Sequence, residues 1–152
     1  MLSSIFSNCV PREEVLEGNL SEEIFAAKLK QVVDGNAPKV YQDPQTFFAN
    51  TFPTNGLKTL ITEVFGRLTG RDTGSPVIRL ETSFEGGKTH DEIAIWHIAK
   101  NGRCISGLER FVSDLTIIPD RPIQVAAIAC QDLDPVNGVL LDTLRSKDAE
   151  IL

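Results

Sequence analysis

The sequence predicts an α/β fold in which helices precede a short parallel sheet, and three stretches carry that prediction. Val77-Ile-Arg-Leu80 is an apolar run that reads as a strand. Glu81-Thr-Ser-Phe-Glu-Gly-Gly-Lys-Thr-His90 is a glycine turn closed by Lys-Thr. Ile93 to Ala99 is an apolar helical run. Strand, glycine turn, Lys-Thr and helix is the order in which a phosphate-binding loop is built. The predicted architecture is therefore a partial P-loop NTPase-type three-layer fold.

The 152 residues are one domain's worth of chain, enough for a core. A hydrophobic fraction of 41% and a mean hydropathy of -0.05 describe a soluble globular protein. The net charge of -6 opposes nucleic-acid binding by bulk electrostatics, and no dense Lys/Arg cluster offsets it. Cys9, Cys104 and Cys130 are widely spaced and odd in number, which suits reduced thiols in the cytoplasm better than a disulfide framework or zinc. Met1 to Val10 lacks the basic start and apolar core of a signal peptide. No apolar run approaches the roughly 20 residues of a membrane span.

Four segments follow along the chain. Residues 1–20 are a lead-in with a turn near Pro11. Residues 21–70 are helical. Ser21 caps the first helix, Glu22 and Glu23 favour its dipole, and Leu20 and Phe25 have staple spacing. Ile24, Phe25, Leu29, Val32 and Val33 form its apolar face, and Asp34-Gly-Asn36 ends it. Residues 36–56 are a connector crowded with Tyr41, Phe47, Phe48 and Phe52, so it lies against the core or lines a ligand cleft. Thr54 or Asn55 caps a second helix carried by Leu57, Leu60, Ile61, Val64 and Leu68, and Gly70 stops it. Residues 71–135 hold the βαβ unit: a strand at Val77 to Glu81, the loop, and a helix from Lys88 to Lys100 closed by Asn101-Gly102. That helix is apolar around much of its circumference, so it is buried on more than one side. A shorter helix is expected from Ser106 to Leu115. A continuously apolar strand runs from Ile123 to Cys130, and right-handed crossover places ligand at the strands' carboxyl ends. Residues 136–152 are a weakly patterned tail. Only two strands can be placed, so either the upstream helices cover a very small sheet or the chain is the front part of something longer.

The full loop motif is G-x-x-x-x-G-K-[ST]. Aligned on Gly87-Lys-Thr89, its first glycine falls on Thr82. The nucleotide-binding set is then Thr82, Ser83, Phe84, Glu85, Gly86, Gly87, Lys88, Thr89 and His90. Inward loop amides cradle phosphates at the helix N-terminus. Lys88 reaches the β- and γ-phosphates, and the Thr89 hydroxyl holds Mg²⁺. Gly86 and Gly87 let backbone approach a phosphate without an intervening Cβ. Glu85 opposes this chemistry. A carboxylate about 5 Å from one phosphate charge costs on the order of 3 kcal/mol at an effective dielectric near 20. Alone, Gly-Gly-Lys-Thr is equally a glycine turn capping a helix.

Tyr41-Gln-Asp-Pro-Gln-Thr-Phe-Phe-Ala-Asn-Thr-Phe-Pro-Thr-Asn-Gly-Leu-Lys58, followed by the loop from Leu80 to His90, resembles the prokaryotic family known as domain of unknown function 499. The resemblance runs from about Val10 to Pro135. It implies an AAA-like P-loop ATPase ancestor with ATP and Mg²⁺ as cofactors and an association with anti-phage defence. It also implies defence-system proteins as partners, and an oligomer, since AAA-type proteins often form rings. The family loop typically reads Phe-Gly-Gly-Gly-Lys-Thr-His, so Thr82 is in keeping and Glu85 replaces a glycine. Asp91-Glu92 stands where the family has small or apolar residues. Family members are far longer, with an acidic Walker B strand downstream, and Asp132 and Asp134 match a family Asp-Leu-Asp-Pro element instead. This chain is therefore expected to be a truncated copy.

His97, beside Trp96 in an apolar helix, reads as a buried, hydrogen-bonded histidine. His90 is either a helix-surface histidine or a neighbour of the phosphates. The two histidines have no Cys or carboxylate at ligand spacing, which argues against zinc. The expected function is an ATP–Mg-binding segment that does not hydrolyse on its own. The alternatives are a non-catalytic remnant or interaction module, and a site for phosphate or sulfate only.

Overall fold

The computed structural model describes residues 11, 13–18, 27–71, 74–81 and 87–127. Six α-helices lie in this part: α1 Glu13–Leu16, α2 Leu29–Asp34, α3 Lys39–Gln42, α4 Pro44–Asn50, α5 Asn55–Leu68 and α6 Lys88–Asn101. Three 3₁₀ turns follow, at Gly102–Cys104, Leu108–Arg110 and Leu115–Ile117.

Local chemistry sets the boundaries. Gly35 at φ 79° sends its N–H back to the Gln31 and Val32 carbonyls and ends α2. Ser21, Ile24 and Phe25, the expected start of this helix, lie outside the described residues. Pro44 opens α4 at a position where its missing N–H costs nothing. Asp43 caps α4, accepting from the Thr46 backbone N–H at 2.8 Å and the Thr46 hydroxyl at 2.6 Å. Those two bonds hold the Asp43 carboxyl below the usual carboxylate range. The Thr54 hydroxyl accepts from Leu57 N–H at 3.2 Å and starts α5, one of the two caps expected there.

The core forms where α4, α5 and α6 meet. Phe47 and Phe48 of α4, Leu57, Ile61 and Phe65 of α5, and Ile93, Ala94 and Ile98 of α6 are buried. Phe48 meets Phe47 edge-on at 5.3 Å and Phe111 edge-on at 5.1 Å, the arrangement that ring quadrupoles favour. The connector thus supplies core residues and contains two helices. The length of α6 agrees with expectation. Its buried residues cover more than one side, with Ile95 and Trp96 packed against the core at partial exposure.

The parallel sheet is where expectation fails: there is no strand among the described residues. Val77 to Glu81 has no regular secondary structure, and Val77 is 77% exposed. Arg79 Nε pairs with Glu81 at 2.7 Å along this segment instead. Residues 122–127 likewise have no regular secondary structure, and the Ile123 N–H donates to the Ala99 carbonyl of α6 at 2.7 Å rather than to another strand. The end of that expected strand and the tail that follows it lie outside the described residues. The fold is helical, with N-terminal helices as expected and no three-layer sheet among the described residues. The physical reason is that an apolar run specifies burial, whereas a strand exists only when a second segment satisfies its amides and carbonyls. The expected helix from Ser106 to Leu115 is also corrected. Gly107 at φ 80° starts a 3₁₀ turn, and Asp114 caps another by accepting from Thr116 N–H at 2.9 Å. No helix among the described residues is long and apolar enough to cross a membrane.

Candidate functional site

The start of α6 is built from Gly87, Lys88, Thr89 and His90. Gly87 occupies the cap position at φ 78°, a conformation that glycine adopts without strain, and its carbonyl accepts from the Asp91 N–H at 3.0 Å. A glycine cap brings no side-chain oxygen to the first-turn amides. Gly87 is exposed, while Lys88, Thr89 and His90 are half-buried. The other predicted loop residues, Thr82, Ser83, Phe84, Glu85 and Gly86, lie outside the described residues, as do Asp132 and Asp134. The structure thus brings together the last four residues of the predicted set at the N-terminus of a 14-residue helix. Aligned peptide dipoles and first-turn amides make such an end attractive to anions.

His90 ties this turn to the aromatic connector. Its Nε2 lies 2.9 Å from Thr51 Oγ1, and its ring stacks on Phe47 with centroids 4.5 Å apart. The Thr51 hydroxyl donates its one proton to the Phe47 carbonyl at 2.7 Å, so it accepts from His90, and the Nε2 atom carries hydrogen. Thr51 itself is only 3% exposed. Thr51 does not stand out in the sequence, and Phe47 appears there only among the connector aromatics that lie against the core or line a cleft. The signal present there is the connector's aromatic crowding, which points to a packing surface without saying against what.

Two turns further on, His97 is buried and its Nε2–H donates to the Tyr41 carbonyl at 2.7 Å, as its setting in an apolar helix predicts. Burial pushes this imidazole below its ordinary 6.5, against opposing pulls from the Tyr41 carbonyl and the Asp43 charge. The unfolded chain therefore takes up a proton near pH 6.5 that the fold refuses. Stability is full above that pH and falls as the pH drops toward the folded value, by at most about 1.4 kcal/mol per pH unit for one proton. Urea unfolding at pH 7.5 and 5.5 should show wild type losing more stability than His97→Gln over this interval. Equal losses would remove His97 as the cause.

Two carboxylates share the first turns of α6. Burial holds the Asp91 carboxyl above its ordinary 3.8. Glu92 is held above 4.5 by burial first and then by the Asp91 charge, with Lys88 pulling the other way. Lys88 and Glu92 also line a cavity of about 540 Å³ that runs along α6 to Ile95 and Trp96. Its lining also includes Ile78 and Leu80 from the 77–81 segment and Val125 from the 122–127 segment. Among the described residues, no group of three or more His, Cys, Asp or Glu side chains could hold a metal. That does not argue against Mg²⁺, which keeps several waters and takes its remaining ligands from phosphate and one or two protein oxygens.

A helical domain whose glycine-capped, Lys-Thr-led helix is braced by an aromatic connector is the class of protein these features define. The chain belongs to the DUF499 family: the family model described as the DUF499 N-terminal domain matches residues 6–135. No curated protein and no solved structure matches the chain.

Proposed function

We propose that the start of α6 binds the phosphates of a nucleotide with Mg²⁺, as the nucleotide-binding segment of an AAA-like P-loop ATPase, and that this chain does not turn the nucleotide over on its own. The observation that carries the reading is Gly87 at φ 78° leading directly into Lys88 and Thr89 in the first turn of a long helix. The lysine ammonium supplies a charge for the β- and γ-phosphates. The threonine hydroxyl is a suitable single protein oxygen for Mg²⁺. The predicted loop residues Thr82 to Gly86 would complete the cradle from the preceding segment.

ATP and Mg²⁺ are the cofactors on this reading, and an anti-phage setting with defence-system partners or an oligomeric assembly extends it by family resemblance. Asp91 and Glu92 belong to α6 itself, and among the described residues no strand brings a further acid beside Lys88 to order an attacking water. A second reading, an interaction module that binds no nucleotide, is favoured by Glu85, which introduces a carboxylate into the loop.

Calorimetric titration with ATP–Mg²⁺ tests the choice. Binding that falls at least about tenfold in Lys88→Ala, and that depends on Mg²⁺ in wild type but much less in Thr89→Ala, is the expected outcome. Binding unaffected by Lys88→Ala would place the nucleotide elsewhere. Sustained phosphate release abolished by Lys88→Ala would contradict the absence of turnover.

A further inference from the structure

Phe52 is 78% exposed. A single exposed phenylalanine is ordinary on a protein surface, but the setting of this one is not. The residue before it, Thr51, is buried and bonded both to the Phe47 carbonyl and to His90. The residues after it are fixed as well: Thr54 N–H donates to the Phe52 carbonyl at 2.9 Å, and Thr54 caps α5. Pro53 adds a locked φ between them. The backbone is therefore held on both sides while the ring faces water. The contact that holds it is with the third residue of α6, so Phe52 sits one residue, about 3.8 Å between Cα atoms, from a direct bond to the first turn.

We propose that Phe52 is the platform on which the base of the bound nucleotide stacks, presented beside the phosphate site by the Thr51–His90 hydrogen bond. The proposal rests on the reading of Gly87 to His90 as the phosphate site. A base lies one ribose and one phosphate away from the groups Lys88 would hold, and an exposed aromatic ring one residue from the Thr51–His90 bond offers a face for it. Every base has such a face, so the contact adds affinity and little choice among bases. The ligand class is a nucleoside triphosphate rather than inorganic polyphosphate.

The test compares ATP–Mg²⁺ with tripolyphosphate–Mg²⁺, which carries the phosphates and no base, by calorimetry on the whole chain. Wild type should bind ATP about 10- to 100-fold more tightly than tripolyphosphate. Phe52→Ala should bring ATP down to the tripolyphosphate level and leave tripolyphosphate unchanged. Phe52→Trp should restore the ATP preference, and its added emission, measured against the single native Trp96, should change with ATP and not with tripolyphosphate. An unaltered ATP preference in Phe52→Ala overturns the proposal. Tripolyphosphate binding with no preference for ATP overturns it while leaving the phosphate site intact. If neither ligand binds, both readings fall.

Discussion

Replacing Gly102 with alanine is expected to lower the melting temperature by about 10–15 °C, from a loss of about 4 kcal/mol. Gly102 closes α6 at φ 53° and ψ -135°, a region that is essentially closed to residues with a side chain. A Cβ there would also collide with the Pro119 carbonyl oxygen, well inside the 3.0 Å that Cβ atoms keep. Neither atom can yield easily. Arg103, the next residue, donates to the Ile118 carbonyl at 2.9 Å and to the Thr116 carbonyl at 3.2 Å. Ile123 is in turn tied to Ala99. The crossing at Gly102 therefore fixes residues 116–123 to the end of α6, and opening it releases buried Ile117 and Ile118. Gly70→Ala is the control. Gly70 has φ 69° and open space within 4 Å of where a Cβ would sit, so it should cost only about 1–2 kcal/mol. Similar melting temperatures for the two variants would show that the close approach at Pro119 does not govern stability.

Glu85→Gly is expected to raise ATP–Mg²⁺ affinity about a hundredfold, the equivalent of about 3 kcal/mol. The effect is electrostatic. The position precedes Gly86-Gly87-Lys88 in a loop whose task, on the proposed reading, is to surround negative charge. A carboxylate there opposes each phosphate oxygen that the lysine attracts. Asp91 and Glu92 add two more acids nearby, but both belong to α6 rather than to the loop. Glu85 is therefore the substitution with the greatest leverage. Its effect should shrink at high salt, because screening weakens repulsion between groups near the surface. Glu85→Gln separates charge from backbone freedom: a gain equal to that of glycine assigns the whole effect to charge. No gain from either variant would show that the carboxylate lies away from the phosphates.

The features legible in the sequence are those fixed by a few neighbouring residues. Thr54 with the apolar period of α5, Gly35 and Gly70 as helix stops, and the span of α6 are all readable because a helix satisfies its own backbone. Strand pairing is not. Val77 to Glu81 and residues 122–127 have the composition of buried strands, yet pairing depends on a partner distant in sequence, and composition cannot supply it. The site divides in the same way. Lys88 and Thr89 are picked out as candidates by their local pattern. Thr51, and the stack that sets the connector's Phe47 against His90, escape a reading of the sequence because these contacts span long stretches of chain, 39 positions for Thr51. The aromatic density of the connector indicates burial, and only the fold shows that part of that burial braces the start of α6.

Binding of nucleotide phosphates at the first turn of α6 can be read from the backbone amide spectrum of ¹⁵N-labelled protein during titration with ATP–Mg²⁺. The amides of Gly87, Lys88, Thr89 and His90 are predicted to move most, to saturate together, and to stay still in Lys88→Ala. Saturable shifts confined to the cavity residues Ile95, Trp96 and Val125, or a spectrum unchanged by ATP–Mg²⁺, would contradict a phosphate site at this helix start.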